Sequence, residues 1–381
     1  MSGPLELFAS CQPGLEPLLL GELSALEIEG DAQRGGVAFT GDAATVQRCG
    51  LWLGTASHLL MRITQFRCRA LGELQRKAAE LPWRQWLRAH VPIAVKATTR
   101  GSRVYHTSAV EERVENAIAT ALGKAPPKAE PGDEIVAHIH VRFREDVCTV
   151  SIDAASTPLH RRGYRLDGRK APLREDLAHA LVLASGWQPG EALLDPFCGS
   201  GTIVIEAAAI AQGLPPGRLR APALQHLALF DSRGWEKTFK ERRPAIASLL
   251  AGGDRDAGAI EASKANAERA GVAAAITLHE GAVTTHPWLQ AAGAPERGVL
   301  VTNPPFGVRV SDAAKLVPLY QTLGHRAARL GAAWRVAVLA NDVRLCRRTG
   351  LVLTTAFTSK HGGLQVAAMV GSTALAERAG R

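Results

Sequence analysis

The leucines at 15, 18, 19, 23 and 26 in GLEPLLLGELSAL fall on one face of a helix. LELFAS before it and RGGVAFTGD after it read as strands, the second edged by glycines. DAATVQRCGLWLGTASHLLMRITQF reads as a helix running into a strand, so residues 1–66 predict a small β-α-β-α-β unit. A second α+β unit is expected over 67–155. CRALGELQRKAAELPWRQWLRAHVP is mostly helical in pattern, and IAVKATTRGSRVYH is a strand with a basic turn. In TSAVEERVENAIATALGK, Val110, Val114, Ala117, Ile118 and Ala121 share a face, with Thr107 or Ser108 placed to cap the helix. EIVAHIHVRFREDVCTVSIDA gives two alternating strands joined at Arg144-Glu145-Asp146. His138 and His140 lie on one face of the first. No third ligand is near in sequence, so that face is expected to meet solvent and no metal site is expected.

The next stretch, STPLHRRGYRLDGRKAP, is polar and basic and has no apolar period. It reads as a linker over 156–170. Its Arg161, Arg162, Arg165, Arg169 and Lys170 suit either a solvated connector or a nucleic-acid surface. The interleaved His160 and Tyr164 favour the second, because planar side chains stack on bases while guanidinium groups hold phosphates. From 171 to 375 the pattern becomes short apolar strands separated by helices: EALLD, GVLVTN and WRVAVLAND among the strands, REDLAHALVLASGW and VPLYQTLGHRAARLG among the helices. That alternation predicts an α/β domain with a doubly wound, mostly parallel sheet. The tail STALAERAGR is expected to fray.

A chain of 381 residues is too long for one ordinary domain, and with aromatics at 5% the cores must be built mainly from Leu, Ala and Val. The net charge of +9 favours a polyanionic partner. The six cysteines show no C-x-x-C spacing and no zinc-like cluster with histidine, so a reduced cytoplasm is the simplest setting. Neither a signal-peptide pattern nor an uninterrupted apolar run of membrane-spanning length is evident.

Three places carry candidate chemistry. In ALLDPFCGSGTIVIEAA an apolar strand ends at Asp195, and Gly199 and Gly201 then open a helix, where the backbone can approach a ligand closely. A dinucleotide-binding turn would need a third glycine where Val204 stands, so the loop suits a ligand with no phosphate. Further on, GGDRDAGAIEASKANA offers Asp254 to ribose hydroxyls and Asp256 as helix cap or second contact. Finally, GVLVTNPPFG runs a strand into two prolines, which hold the backbone rigid beside Asn303 and Phe306.

Taken together, DPFCGSGT, GDRDAGAIEASKANA and TNPPFG resemble the class I S-adenosylmethionine-dependent methyltransferases that act on exocyclic amino groups. PGLEPLLLGEL is similar to a small ferredoxin-like domain, and the region to about 155 resembles a THUMP RNA-binding domain. VSIDAASTPLHRRGYR is similar to the junction found in RNA guanine-N2 methyltransferases, as is Gly-x-Arg after the aromatic. The resemblance covers nearly the whole chain. It implies a Rossmann-like methyltransferase domain behind a ferredoxin-like plus THUMP module. Asp195, Pro196, Cys198, Gly199, Ser200, Gly201 and Thr202 would line an S-adenosyl-L-methionine pocket, with Asp254 and Asp256 beside the ribose. Asn303, Pro304, Pro305 and Phe306 would hold the target base. Lys96, Arg100, Arg103, Arg161, Arg162 and Arg165 would contact RNA, and Arg309 is either a phosphate contact or a structural residue. One departure is Ala282, which stands where the family commonly carries an acid for the adenine amino group; Glu280 or a backbone group would have to replace it. The implied substrate is a guanosine N2 in structured tRNA or rRNA, and a monomeric, cytoplasmic, metal-free enzyme is expected. Two alternatives stay open: an adenine-N6 methyltransferase, and an RNA-binding protein whose methyltransferase half is inactive.

Overall fold

The computed structural model describes residues 4–166, 172–241, 243–290, 293–306 and 310–375, the side chains of 310–314 excepted. The chain divides into two compact units. The first holds Met1–Cys11, Leu20–Leu159 and Arg220–Glu241; the second holds Gln12–Leu19, His160–Leu219 and Arg242–Arg381.

The elements of the front half are β1 (Leu5–Cys11), α1 (Glu16–Ser24), β2 (Gly30–Gln33), β3 (Gly36–Gly41), α2 (Ala43–Trp52), β4 (Ala56–Arg67), α3 (Leu71–Ala79), β5 (Ile93–Arg100), α4 (Thr107–Leu122), β6 (Ala137–Arg144) and β7 (Val147–Asp153). The seven strands form one sheet in the order β2-β3-β1-β4-β7-β6-β5. Both front segments therefore share it, because β4 pairs along β7 from Leu60↔Asp153 to Arg67↔Val147. The sequence pattern misses β2: GDAQ carries no apolar alternation and pairs only with β3 at the sheet edge. Asp42 caps α2 in a reciprocal capping box with Thr45. The helix over 107–122 instead starts from His106 with no side-chain cap, so the expected capping by Thr107 or Ser108 is not what forms. Its apolar face does form, with Val110, Val114, Ala117 and Ile118 fully buried. The β6–β7 turn works because Glu145 (φ 52°) and Asp146 (φ 63°) both take the left-handed conformation that a tight hairpin needs. Residues 220–241 complete this unit: Arg220 donates to the carbonyls of Leu159 and Gly50, and the Leu224 N–H donates to Ala154 O at 2.7 Å.

The back half continues with α5 (Glu175–Ala184), β8 (Ala192–Asp195), α6 (Thr202–Ala211), α7 (Ser232–Lys240), β9 (Leu250–Asp254), α8 (Ala257–Arg269), β10 (Ile276–Glu280), β11 (Gly298–Thr302), α9 (Val310–Ala328), β12 (Trp334–Ala340), α10 (Val343–Arg348), β13 (Leu351–His361) and β14 (Leu364–Leu375). The second sheet has the order β10-β9-β8-β11-β12-β14-β13. The first five strands are parallel, and β14 runs antiparallel to both its neighbours. β8 and β11 are buried along their whole length, which is why they read as continuous apolar runs. Leu194, Leu300, Val336, Val338 and Trp334 form the core, each at most 1% exposed. At about 1.5–3 kcal/mol for each large apolar side chain removed from water, this cluster holds the strand ends in place. The expected fraying of the tail is corrected for its first residues: Ser372 pairs with Arg335 and Leu375 with Leu351. Among the described residues no helix is long and apolar enough to cross a membrane.

Candidate active site

The order of the second sheet reverses between β8 and β11, whose carboxyl ends lie side by side. Ligands of open α/β sheets bind at such a switch point. A cavity of ≈ 1230 Å³ opens there, lined by Asp195, Pro196, Cys198, Gly199, Ser200 and Thr202 from the first loop. Asp254, Asp256, Gly281, Ala282 and Asn303 to Phe306 line it as well. The structure thus brings the candidate cofactor residues, Gly201 excepted, to one cavity with the Asn-Pro-Pro-Phe turn.

Local hydrogen bonds explain the placement. Gly199 (φ 55°) and Gly201 (φ 82°) turn the chain out of β8 and into α6. A Cβ on Gly201 would stand 3.1 Å from Cβ of Ser263. Ser263 donates to Gly199 O at 2.8 Å and Asn266 to Ser200 O at 3.0 Å, so α8 braces the loop. The Asp254 carboxylate accepts the Gly199 N–H at 3.1 Å on one oxygen and the Asp256 N–H at 3.0 Å on the other. Asp256 itself caps α8, accepting from Gly258 and Ala259. Asp195 is 1% exposed, and burial pushes its carboxyl up to about 7, against the pull of Thr302 and the Phe197 N–H. Its Oδ1 accepts the Thr302 hydroxyl at 2.6 Å, tying the Gly loop to the residue that precedes Asn303. The Cys198 thiol is buried, and that burial pushes its pKa up.

At the turn, Pro304 is buried and Pro305 exposed, with Asn303 and Phe306 half-buried. Asn303 Oδ1 is buried and has no hydrogen-bond partner among the described residues. An unmet acceptor facing a cavity costs about 1–3 kcal/mol, which a ligand N–H would recover. Glu280 is exposed and is not among the residues lining the cavity, whereas Gly281, Ala282 and Val283 line it. Sequence reasoning missed His361, which closes the cavity from the β13–β14 hairpin with its ring 6.3 Å from that of Phe306, edge to face.

The basic candidates separate. Lys96, Arg100, Arg103 and Arg161 are exposed. In register, Thr98 of β5 faces Arg142 and Arg100 faces Arg144, two further exposed arginines that the sequence analysis did not single out. Arg162 is corrected: it is 1% exposed, with its guanidinium on Glu206 at 3.3 Å and Tyr164 buried beside it. Arg165 is corrected too. It donates to Thr202 Oγ1 at 2.7 Å and Leu173 O at 2.8 Å, so it fastens the start of α6 rather than reaching for phosphate. Arg169, Lys170 and Arg309 lie outside the described residues.

The RMKL-like methyltransferase domain matches residues 162–367, just over half the chain. The chain belongs to that family. Ahead of the RMKL-like domain, an RlmL ferredoxin-like domain matches residues 6–60 and a THUMP domain residues 68–153, as the resemblance implied. The ribosomal RNA large subunit methyltransferase K/L of Syntrophotalea carbinolica is 34% identical over 96% of this chain and 53% of its own length. The protein of the same name from Chromohalobacter salexigens is 33% identical over 95% and 52%. The chain thus spans about half the length of the curated relatives it matches. Among solved structures, SMU.472, assigned as a methyltransferase and crystallised with SAH, superposes with a TM-score of 0.87 at 26% identity, over 97% of this chain and 98% of its own. A predicted N6-adenine-specific DNA methylase from Listeria monocytogenes gives 0.84 at 29% identity, over 96% of each chain. The RMKL-like domain is therefore an α/β methyltransferase domain with a mostly parallel sheet, behind ferredoxin-like and THUMP elements.

Proposed function

We propose that this protein transfers a methyl group from S-adenosylmethionine to the exocyclic N2 amino group of a guanosine in structured RNA, with ribosomal RNA the leading substrate. The observation that carries the reading is the buried Oδ1 of Asn303, which has no hydrogen-bond partner among the described residues, on the same cavity as the loop of Gly199 and Ser200 and Asp254. An aromatic amine is a poor nucleophile because its lone pair is delocalised into the ring. Asn303 Oδ1 and the Pro304 carbonyl accept its two N–H groups and draw the nitrogen towards tetrahedral geometry, and the two prolines keep that carbonyl fixed. Phe306 offers a face on which the base stacks, outside its own helix or loop. S-adenosylmethionine supplies the electrophilic methyl on its sulfonium. Asp254 would accept the ribose hydroxyls on lone pairs that its two backbone N–H partners leave over. RNA as substrate is supported by the THUMP match, by the exposed Lys96, Arg100, Arg142 and Arg144, and by the names of the relatives. The proposed enzyme is a monomer of the cytoplasm; its six cysteines are buried and none is in a disulfide.

Asp254→Ala removes a charged acceptor together with the brace between two loops. It is expected to weaken S-adenosylmethionine binding about 10–100-fold, the equivalent of a lost charge-assisted hydrogen bond. Calorimetry reads this directly, and unchanged affinity would remove Asp254 from the ribose site.

The test of the reaction uses RNA from a strain lacking the gene, purified protein and methyl-labelled S-adenosylmethionine. The RNA is separated by size, digested to nucleosides and analysed by mass spectrometry. Label in N2-methylguanosine of the ribosomal fraction is expected. Label in N6-methyladenosine would keep the mechanism and replace the base. Absence of label from every fraction, without cofactor binding, would leave an RNA-binding protein with an inactive domain.

A further inference from the structure

In the first unit two histidines, His58 and His140, face one carboxylate, and a third, His226, meets the backbone carbonyl of the same residue. Asp153, at the end of β7, is 2% exposed. Its Oδ2 stands 2.7 Å from His58 Nδ1 on β4 and 3.9 Å from His140 Nε2 on β6. Its Oδ1 accepts the Ala155 N–H, and its backbone carbonyl meets His226 Nε2 at 3.1 Å. His138 is turned aside to the Ser156 carbonyl. The imidazoles of His58 and His140 pack edge to face with centroids 5.6 Å apart. One ligand atom from each of His58, His140 and Asp153 lies within 4.8 Å of the others.

His140 is the telling member. Its Nε2 is buried, aims at the shared carboxylate and has no hydrogen-bond partner among the described residues. Hydrogen bonding therefore accounts for His58–Asp153 but not for the third group. Metal–ligand distances of about 2.0–2.1 Å at tetrahedral angles put neighbouring ligand atoms about 3.3 Å apart. The observed 2.7 and 3.9 Å straddle that value, within reach of small side-chain rotations. Lys96, the neighbour of His140 in register on β5, is exposed, so its ammonium can remain in solvent.

We propose that His58, His140 and Asp153 bind a divalent transition-metal ion of the zinc class, with solvent completing the coordination. The ion ties together β4, β7 and β6, three adjacent strands of the sheet that carries the basic face. The sequence hid this site because its ligands are spread from 58 to 153 and meet only through strand pairing.

The test uses tag-free full-length protein, stripped with a chelator and titrated with Zn²⁺ against a chromophoric competitor. One equivalent is expected to bind, with a rise in the thermal midpoint. His140→Ala and Asp153→Asn are each expected to weaken binding by at least about 10–100-fold, the cost of losing even an outer-shell partner. Circular dichroism checks that the variants fold. Should either fail to fold, Co²⁺ bound to the wild type decides. Ligand-field bands of a nitrogen- and oxygen-ligated site support the proposal, and thiolate charge-transfer bands overturn it. Absence of stoichiometric binding, or equal binding by a folded His140→Ala variant, overturns it as well.

Discussion

Asn303→Ala is expected to lower the methyl-transfer rate about 10²–10³-fold, comparable to losing one preorganised polar group aimed at developing charge. Binding of S-adenosylmethionine should be unchanged, because the cofactor-side contacts come from β8, β9 and their loops. The thermal midpoint should not fall. Oδ1 is buried without a partner among the described residues, so truncating it removes an unmet acceptor and the desolvation cost that goes with it. Loss of turnover with retained binding and retained stability separates an acceptor for the amine from a residue that merely shapes the turn. Asn303→Gln sharpens the distinction: it keeps the amide but moves it by one methylene away from the position that the prolines define, and it should be nearly as slow. Single-turnover transfer at saturating cofactor, with calorimetry of the same preparations, measures both. Near-normal turnover by Asn303→Ala would end the assignment.

The parts of this site that were legible in the sequence are those whose reason is local. A buried strand ends at Asp195. Glycines are needed where φ is positive at 199 and 201, and two prolines stop β11 beside Asn303. Such constraints leave a mark at the residue itself. The parts that were not legible depend on what folds back from elsewhere. His361 reaches Phe306 only because β13 and β14 form a hairpin on the edge of the sheet, and nothing in SKHGGLQ announces that position. GDAQ makes an edge strand by pairing with β3 rather than by any apolar pattern. HRRGYR read as an exposed linker, with a nucleic-acid surface favoured, because arginine is rarely buried, and the partner that permits the burial of Arg162, Glu206, sits on a helix whose apolar neighbours advertise only core. The chain therefore passes from the first unit to the second at His160, inside the stretch that read as linker.

That buried pair gives the second large effect. Arg162→Met is expected to destabilise the protein by about 3–5 kcal/mol, the cost of stranding one member of a buried ion pair. Glu206 is fully enclosed, and burial alone would raise its pKa. Arg162, with the hydrogen bond from His179 at 2.9 Å, instead draws it down to about 2. A carboxyl whose folded pKa lies below its usual 4.5 contributes stability that is complete above 4.5 and is lost as the pH falls through about 2. In the variant the same carboxyl loses its cation and takes a proton at higher pH. The gap between wild type and variant should therefore be widest near neutrality and narrow as the solution is acidified from pH 7 to 4. Denaturant unfolding at several pH values reads this directly, and a gap that widens on acidification would contradict it. Adding Glu206→Gln to Arg162→Met removes the stranded charge and should recover much of the loss, whereas two independent packing defects would add. The consequence reaches the cavity through α6. Glu206 lies on the helix that Gly201 opens and whose first residue, Thr202, is held by Arg165. Releasing that helix loosens the loop that frames one wall of the cofactor site. Arg162→Met should therefore weaken S-adenosylmethionine binding without lying near it, and the double variant should restore affinity and stability together.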